Sequence, residues 1–485
     1  MSTLGEILQN IKDNAPMTID EIVQEEVKNW EASDERRLML TGEKYYKVKN
    51  DVLNRKRKAI GPDGKLAEVH NLSDNRIPHG FIRKLADQKI GYLLSKPFLA
   101  RTKNEAYQKI LDGYFDKGFR RMLKNTGKNA INAGKAWLQV YYNEAGQLAF
   151  KLLPSQEVIP LWKDAAHTEL DAAIRVYEVI EYEAKQEKTI KKIELWNSDG
   201  VRWYEGSGGE FRFVGSGEHF TAITEEDGQL KEEAMNWERV PFICFKYNDE
   251  EQPLIDLIKR QIDDYDRNIS DNSNNLEDLP NSMYVVKDYD GTDAAEFRRN
   301  MSIFRVAFVN GTGGINAINL DIDTEAHKAH IEQLRKDIYE FGRGVDTQSE
   351  RFGNSPSGIA LKHLYADLDL DANDMETEFQ ASMEELLWFI DKHIFNTTKV
   401  DYSNEDVEFI FNRDIIINET EAVTNAKNSI GVISDKTILA NHPWVTDVNE
   451  EEKQKKKEAN AGTDDYGGLG DKAKEDPVGT AGDEE

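Results

Sequence analysis

The spacing of apolar residues changes character along the chain, and each change predicts a different element. Thr18-Ile-Asp-Glu21 is a capping box, with the threonine accepting from the first turn and the glutamate reaching back, so a helix opens there. Asp74 or Asn75 is placed to cap a helix through Leu94, with Pro78 in its first turn and Phe81, Leu85 and Tyr92 on one face. Lys96-Pro97 ends it, because a residue before proline avoids the helical region. From 137 to 247 the segments turn β-branched and aromatic, notably 174–182 and 189–196. Asn197-Ser-Asp-Gly200 and Gly206-Ser-Gly-Gly209 separate the later ones as turns, which predicts an antiparallel sheet.

The centre of the chain returns to a helical period. Leu254, Leu257, Ile258, Ile262, Tyr265 and Ile269 form a stripe over 253–276, a rod of roughly 30 Å or more at about 1.5 Å per residue. A strand around 283–286, a short helix near 294–300 and a second strand at 303–309 follow, and Gly311-Thr-Gly-Gly314 turns the chain. A second helix starts at Asp323 or Thr324 with Ile331, Leu334, Ile338 and Phe341 in a narrow stripe suited to helix packing, and Gly342 and Gly344 end it. After a polar, glycine-flanked stretch at 344–358 comes a very long helix to about Phe395, with Leu361, Leu364, Leu368, Met375, Phe379, Leu386 and Ile390 along one side. A short strand at 408–411 and two or three helices complete the pattern, one of them capped by Ser434.

Composition narrows the class. The 485 residues leave room for more than one core at roughly 100–200 residues per domain. With 39% apolar and 31% charged residues, a folded soluble protein is expected. No apolar run suits a membrane span, and residues 1–14 lack the basic start and apolar core of a signal peptide. Cys244 is the only cysteine, so no internal disulfide forms, and its apolar surroundings at 241–245 predict a buried, inert thiol. The net charge of −28 argues against a protein that coats nucleic acid through a basic surface, leaving only local or transient contact. From about Glu458 the chain is acidic, glycine-rich and almost free of large apolar residues, as in a disordered tail.

The motifs that carry common chemistries are missing or weak. No Gly-x-x-x-x-Gly-Lys-Ser/Thr exists, and Gly206-Ser-Gly lies in a turn between strands and not in a nucleophile elbow. Arg55-Lys-Arg-Lys58 reads as a solvated loop before it reads as a phosphate grip. His327 and His330 lie one turn apart without a third ligand. Asp367, Asp369, Asp371 and Glu378 follow calcium-loop spacing, but Ala372 stands where the sharp turn needs glycine. This acidic cluster, 367–378, supports one enzymatic alternative, a metal-dependent nuclease or hydrolase.

Several short motifs recur in the order that these elements predict. They are Asn75-Arg-Ile, Phe81-Ile-Arg-Lys-Leu-Ala-Asp-Gln-Lys89, Tyr92-Leu-Leu-Ser-Lys-Pro97, Leu153-Pro-Ser-Gln-Glu-Val-Ile-Pro160 and Val240-Pro-Phe242. Ile262-Asp-Asp-Tyr-Asp266, with Ser270-Asp271 and Asn275-Leu-Glu-Asp278, and Ser357-Gly-Ile-Ala-Leu-Lys362 complete the set. Together, from about 71 to 448, they resemble the portal proteins of tailed double-stranded DNA bacteriophages, of the siphovirus type. The resemblance implies an α+β portal fold, mainly helical, with wing, stem, clip and crown regions. Residues 1–135 would be the N-terminal helical part of the wing and 136–249 its antiparallel β-rich part. Stem helices would occupy 250–278 and 323–343, around a small αβ clip at 279–322. The tunnel loop would be 344–358, the long wing helix and strand 359–411, the crown 412–457, and the acidic tail 458–485.

The resemblance also implies a dodecameric ring at one capsid vertex of the virion, assembled in the host cytoplasm. Its channel would pass double-stranded DNA during packaging and ejection. Implied partners are the terminase large subunit, head–tail connector and adaptor proteins, and the major capsid and scaffolding proteins, with no membrane, cofactor, metal or catalysis. On the first stem helix Asp256, Asp263, Asp264, Asp266 and Asp271 outnumber Lys259, Arg260 and Arg267, which suggests an acidic wall that lets DNA slide. Expected channel residues are Lys328, Arg335, Lys336, Arg343, Thr347, Gln348, Ser349, Glu350, Arg351, Phe352, Gly353 and Asn354. The cations among them could touch phosphate or pair between subunits.

Overall fold

A computed structural model describes residues 17–60, 65–68, 73–183, 186–207, 210–226, 229–277, 282–287, 314–319, 324–348, 358–413, 419–445 and 447–464. They belong to two units, residues 1–347 with 365–414, and residues 348–364 with 415–485.

The first unit opens with α1 (Ile19–Ala32) and α2 (Asp34–Tyr46). The capping box is formed as expected, Thr18 accepting from Glu21 N and Glu21 answering to the Thr18 backbone. A hairpin of β1 (Lys58–Ile60) and β2 (Leu66–Glu68) follows. Next come α3 (Phe81–Leu94), β3 (Leu99–Arg101), α4 (Glu105–Tyr114) and α5 (Lys117–Ala133). The β-rich part contains β4 (Lys135–Tyr142), β5 (Leu148–Leu153), β6 (Val158–Trp162), β7 (Leu170–Glu183), β8 (Gln186–Asn197), β9 (Gly200–Ser207) and β10 (Glu210–Gly217). Its last strands are β11 (Phe220–Glu226), β12 (Gln229–Met235) and β13 (Phe242–Lys246).

These strands make an antiparallel five-stranded sheet, β10-β9-β8-β7-β6, a three-stranded sheet, β13-β4-β5, and the β11–β12 hairpin. The sheet expected from the two-residue period is therefore present. Val23, Val27 and Trp30 of α1 bury against Ile174, Ile193, Leu195 and Tyr204 of the five-stranded sheet. Cys244 lies on β13, and burial pushes its thiol up, as expected of an inert side chain.

The central pair is α6 (Leu254–Glu277) and α7 (Thr324–Phe341), with β14 (Ser282–Lys287) and β15 (Gly314–Asn319) paired antiparallel between them in sequence. Strand β14 pairs with 314–319, a strand beyond those expected from the sequence. The expected strand at 303–309, the short helix at 294–300 and residues 311–313 of the expected turn lie outside the described residues. The segment Gly-Ile-Asn-Ala-Ile-Asn has no β-branched alternation strong enough to announce a strand. The long helix α8 (Gly358–Thr398) buries Leu368, Met375, Phe379, Leu386 and Ile390, and β16 (Glu408–Ile410) pairs with β3.

The second unit holds residues 358–364 of α8, then α9 (Glu419–Asn428), α10 (Asp435–Ala440) and α11 (Val448–Asp464). Ser434 caps α10 as expected, accepting from Thr437 N, and Lys455 of α11 pairs with Asp435 at 3.3 Å. Helix α11 continues to Asp464, beyond the expected start of the tail at 458, and the rest of the tail lies outside the described residues.

Candidate functional site

Helices α6 and α7 run antiparallel, with Gly342 beside Ile258 and His330 beside Asp264. Ile258, Ile262, Leu334 and Ile338 are buried, and the Phe81 ring packs edge-on against Tyr265 at 5.0 Å and Tyr339 at 6.1 Å. Phe341, assigned to this stripe from sequence, is instead 52% exposed.

A second face of α6 is buried although it is polar. Asp266, Ser270 and Asn274, spaced four apart, are all buried. They accept from the backbone N–H groups of His79 (3.0 Å), Ile77 (3.0 Å) and Asn75 (2.6 Å). Two residues of extended chain advance about 6.6 Å and four of helix about 6.0 Å, so the two repeats stay in step. This ladder explains why α3 begins at Phe81 and not near Asp74: the amides of 75, 77 and 79 are taken by α6 side chains. Asp266 also receives His79 Nδ1 at 2.7 Å and Asn50 Nδ2 at 2.6 Å, so the buried carboxylate is well satisfied.

At the other end, α7 stops where the expected loop begins. Arg343 takes φ +46°, and Gly344 N returns to Tyr339 O at 2.9 Å. A Cβ on Gly344 would lie 2.1 Å from Leu85 Cδ2, so only glycine lets the turn sit on α3. Gln88 brackets Val345, donating to its carbonyl at 3.0 Å and accepting from its N–H at 2.9 Å. Lys89 donates to Arg343 O at 3.1 Å and to Asp371 Oδ2 at 2.7 Å, and Tyr247 OH donates to the same carboxylate. Burial pulls the Lys89 ammonium down, and Asp371 offsets this only in part. The loop root is thereby clamped by α3 and α8.

Several expected channel residues take part in contacts of the loop root. Arg335 is bidentate on Asp346 (2.7 and 2.8 Å), and Arg343 pairs with Asp374 at 2.9 Å. Both are struts of the loop root. Lys328 sits 3.8 Å from Glu332 and is largely exposed, and Lys336, Thr347 and Gln348 are exposed. Residues 349–354 lie outside the described residues. The acidic wall expected on α6 does not stand as unpaired charge. Asp263 holds Lys259, Asp264 holds Arg267 and His330, Asp271 holds Arg55 at 2.8 Å, and Asp266 is buried in the ladder. Asp256 accepts from Gln252 at 2.6 Å. Within the basic run, Lys56 pairs with Glu68 at 2.6 Å and Arg57 donates to Ser73 O.

A family model described as "Phage portal protein, SPP1 Gp6-like" matches residues 7–464. The chain belongs to this phage portal family. It is 29% identical over 450 residues to the portal protein of Bacillus phage SPP1, covering 90% of this chain and 88% of that one. It is 30% identical over 456 residues to the portal protein of Clostridium phage phiCD119, covering 89% and 95%. Among solved structures, a chain in the neck of an empty GTA particle aligns with 75% of this chain and 90% of its own, at 11% identity and a TM-score of 0.41. The α+β architecture described above is the fold of this portal chain.

The aspartates named for the enzymatic alternative do not converge on one site. Asp371 is buried against Lys89 and Tyr247, Asp369 accepts from Tyr92 and lies 3.2 Å from Arg413, and Asp367 points to solvent. One continuous helix carries them to different faces, and cations already occupy the inward ones. No group of three or more metal-ligating side chains gathers among the described residues, and His330 is used by Asp264. In this portal chain the acidic run ties α8 to its neighbours.

Proposed function

We propose that this chain is the subunit of a twelve-membered ring at one vertex of the phage capsid, with a channel that passes double-stranded DNA inward during packaging and outward during ejection. Membership of the portal family across residues 7–464 carries the reading. The antiparallel α6–α7 pair adds support, because it leads to β14–β15 at one end and to a clamped loop root at the other. In this reading α6 and α7 are the stem, β14–β15 belong to the clip, 344–358 is the tunnel loop, the sheets and long helix form the wing, and 412–457 form the crown.

The subunit performs no catalysis, and ATP hydrolysis belongs to the terminase large subunit docking on the clip. Head–tail connector and adaptor proteins take that place later, while major capsid and scaffolding proteins meet the wing during assembly in the host cytoplasm. Thr347, Gln348 and residues 349–354 are the segment assigned to the lumen. Electron microscopy of the purified protein tests the reading: class averages should show a ring with a central hole. A strictly monomeric protein at every concentration would overturn it.

A further inference from the structure

Helix α5 departs from the charge habit of the rest of the chain. Its 17 residues hold Lys117, Arg120, Arg121, Lys124 and Lys128 and not one acid. In the whole protein 90 acidic residues outnumber 62 basic ones, so a cation here is far more often beside a carboxylate than alone. Lys28, Arg37, Lys44 and Lys47 of α1 and α2, for example, each hold one. At about 100° per residue the five α5 cations fall within an arc of about 100°, opposite the buried Phe119, Leu123, Thr126 and Ala130. Lys117, Arg120, Arg121 and Lys124 are exposed, and none has an ion pair among the described residues. Lys128 lies over the Tyr46 ring at 5.2 Å, and Arg83 of α3 lies over the same ring at 5.9 Å, so the basic surface continues onto α3.

This arrangement works against the free subunit. Lys117 with Arg121, Arg120 with Lys124 and Lys124 with Lys128 are like charges four residues apart, each unfavourable on a helix surface. Lys117 also opens the helix, with Arg120 and Arg121 close behind, at the positive end of the dipole where acids are favoured. Asp116 caps Phe119 N at 2.9 Å but pairs with no cation of the stripe. An anion laid along the stripe would reverse both costs.

We infer that the α5 stripe is a docking surface for the phosphate backbone of duplex DNA, held without regard to base sequence. The choice of DNA among polyanions rests on the ring reading above, in which duplex is the cargo. Helix α5 carries none of the residues assigned there to the lumen, so this is a second contact. Its composition favours phosphate over an acidic protein segment. The only other exposed residues of α5 are Gly118 and Asn125, so the stripe lacks the apolar or aromatic anchor around which protein interfaces are built. Phosphate needs cations alone. From Lys117 to Lys128 the stripe runs roughly 16 Å, and a duplex presents one charge per about 1.7 Å of its axis, enough to engage all five. The net charge of −28 repels DNA elsewhere, which confines the contact to this stripe and keeps it weak.

Anisotropy of a fluorescein-labelled duplex of about 20 base pairs, titrated with the full-length protein, tests this. Binding should weaken by about a hundredfold between about 50 and 200 mM salt, as expected of about four phosphate contacts. R120E/K124E should bind about tenfold or more weakly at about 50 mM salt and lower the log–log salt slope by about two. This variant should melt no lower than wild type, since it relieves like-charge repulsion at the start of α5, so lost binding is not lost fold. K427E/K436E, on exposed lysines of α9 and α10, makes the same change in net charge and should leave the affinity within about twofold. No complex at about 50 mM salt, or an equal loss in K427E/K436E, would overturn the docking. Tighter binding of poly-L-glutamate than of the duplex would also overturn it, and would assign the stripe to an acidic protein segment. None of these results touches the ring reading, because the binding assay needs no ring and class averages test that reading by themselves.

Discussion

Lys89 and Asp371 meet at 2.7 Å with side chains only 3% and 9% exposed, across 282 positions of sequence. The same ammonium holds the carbonyl of Arg343, so one buried cation joins α3, α8 and the root of the loop. Removing one partner of a buried pair strands the other, which is far costlier than the pair is stabilising.

Lys89→Met should therefore destabilise the subunit by on the order of 3 kcal/mol, read from the denaturation midpoint. K89M combined with D371N should recover part of that loss, because asparagine can still accept from Tyr247. If the single variant unfolded like wild type, the clamp would carry no weight in the fold.

The polar ladder predicts a local effect. Ser270→Ala leaves the partly buried Ile77 N–H without its acceptor, and should cost about 1–2 kcal/mol. Hydrogen exchange at Ile77 should quicken far more than at amides inside α3. Equal acceleration of both would mean that the segment 75–79 is not held by α6.

Why the ladder was illegible in sequence is a matter of range. The apolar stripes of α6 and α8 and the Thr18 box are local patterns, and periodicity or capping chemistry is enough to read them. Asp266, Ser270 and Asn274 look like an ordinary wet helix face until a segment nearly two hundred positions away supplies their donors. The motifs Asn75-Arg-Ile and Ile262-Asp-Asp-Tyr-Asp266, far apart in the chain, belong to elements joined by this ladder. For the same reason the acidic bias of α6, which suggests an acidic wall, does not reveal that most of its carboxylates hold cations or amides of the same chain. Arg335 and Arg343 were legible as cations near the loop, but not as struts, because Asp346 and Asp374 are brought to them by the turn and by α8.

Two glycines with opposite surroundings, one crowded and one open, make a matched pair. Gly344→Ala would place Cβ 2.1 Å from Leu85 Cδ2, and Leu85 is fully buried, so a loss of about 1–3 kcal/mol is expected. Gly91→Ala, inside α3 with nothing within 4 Å of the new Cβ, should gain about 0.5–1 kcal/mol from helix propensity. Thermal unfolding of the two variants should move in opposite directions.

Because the loop root is held by α3 and α8, deletion of residues 348–354 should leave the subunit stable and the ring assembled. Packaging or retention of DNA should fall, measured as filled capsids per ring incorporated. Normal packaging by the deleted form would place this segment outside the lumen.

Glu385 of α8 sets a pH dependence of its own. It lines a cavity with Leu170, Val240, Phe242 and Phe389, and burial pushes its carboxyl up to about 7, with Arg239 and Lys246 pulling back only in part. Between about pH 4.5 and 7 the unfolded chain has lost a proton that the folded chain keeps. The carboxyl's contribution to stability therefore declines as pH rises through this window, by about 2–3 kcal/mol in all. Glu385→Gln does not titrate, so it should match wild type near pH 4 and exceed it by about that amount near pH 8. Denaturation curves of both proteins at the two pH values check the difference, and a constant gap between them would show that Glu385 ionises freely in the folded chain.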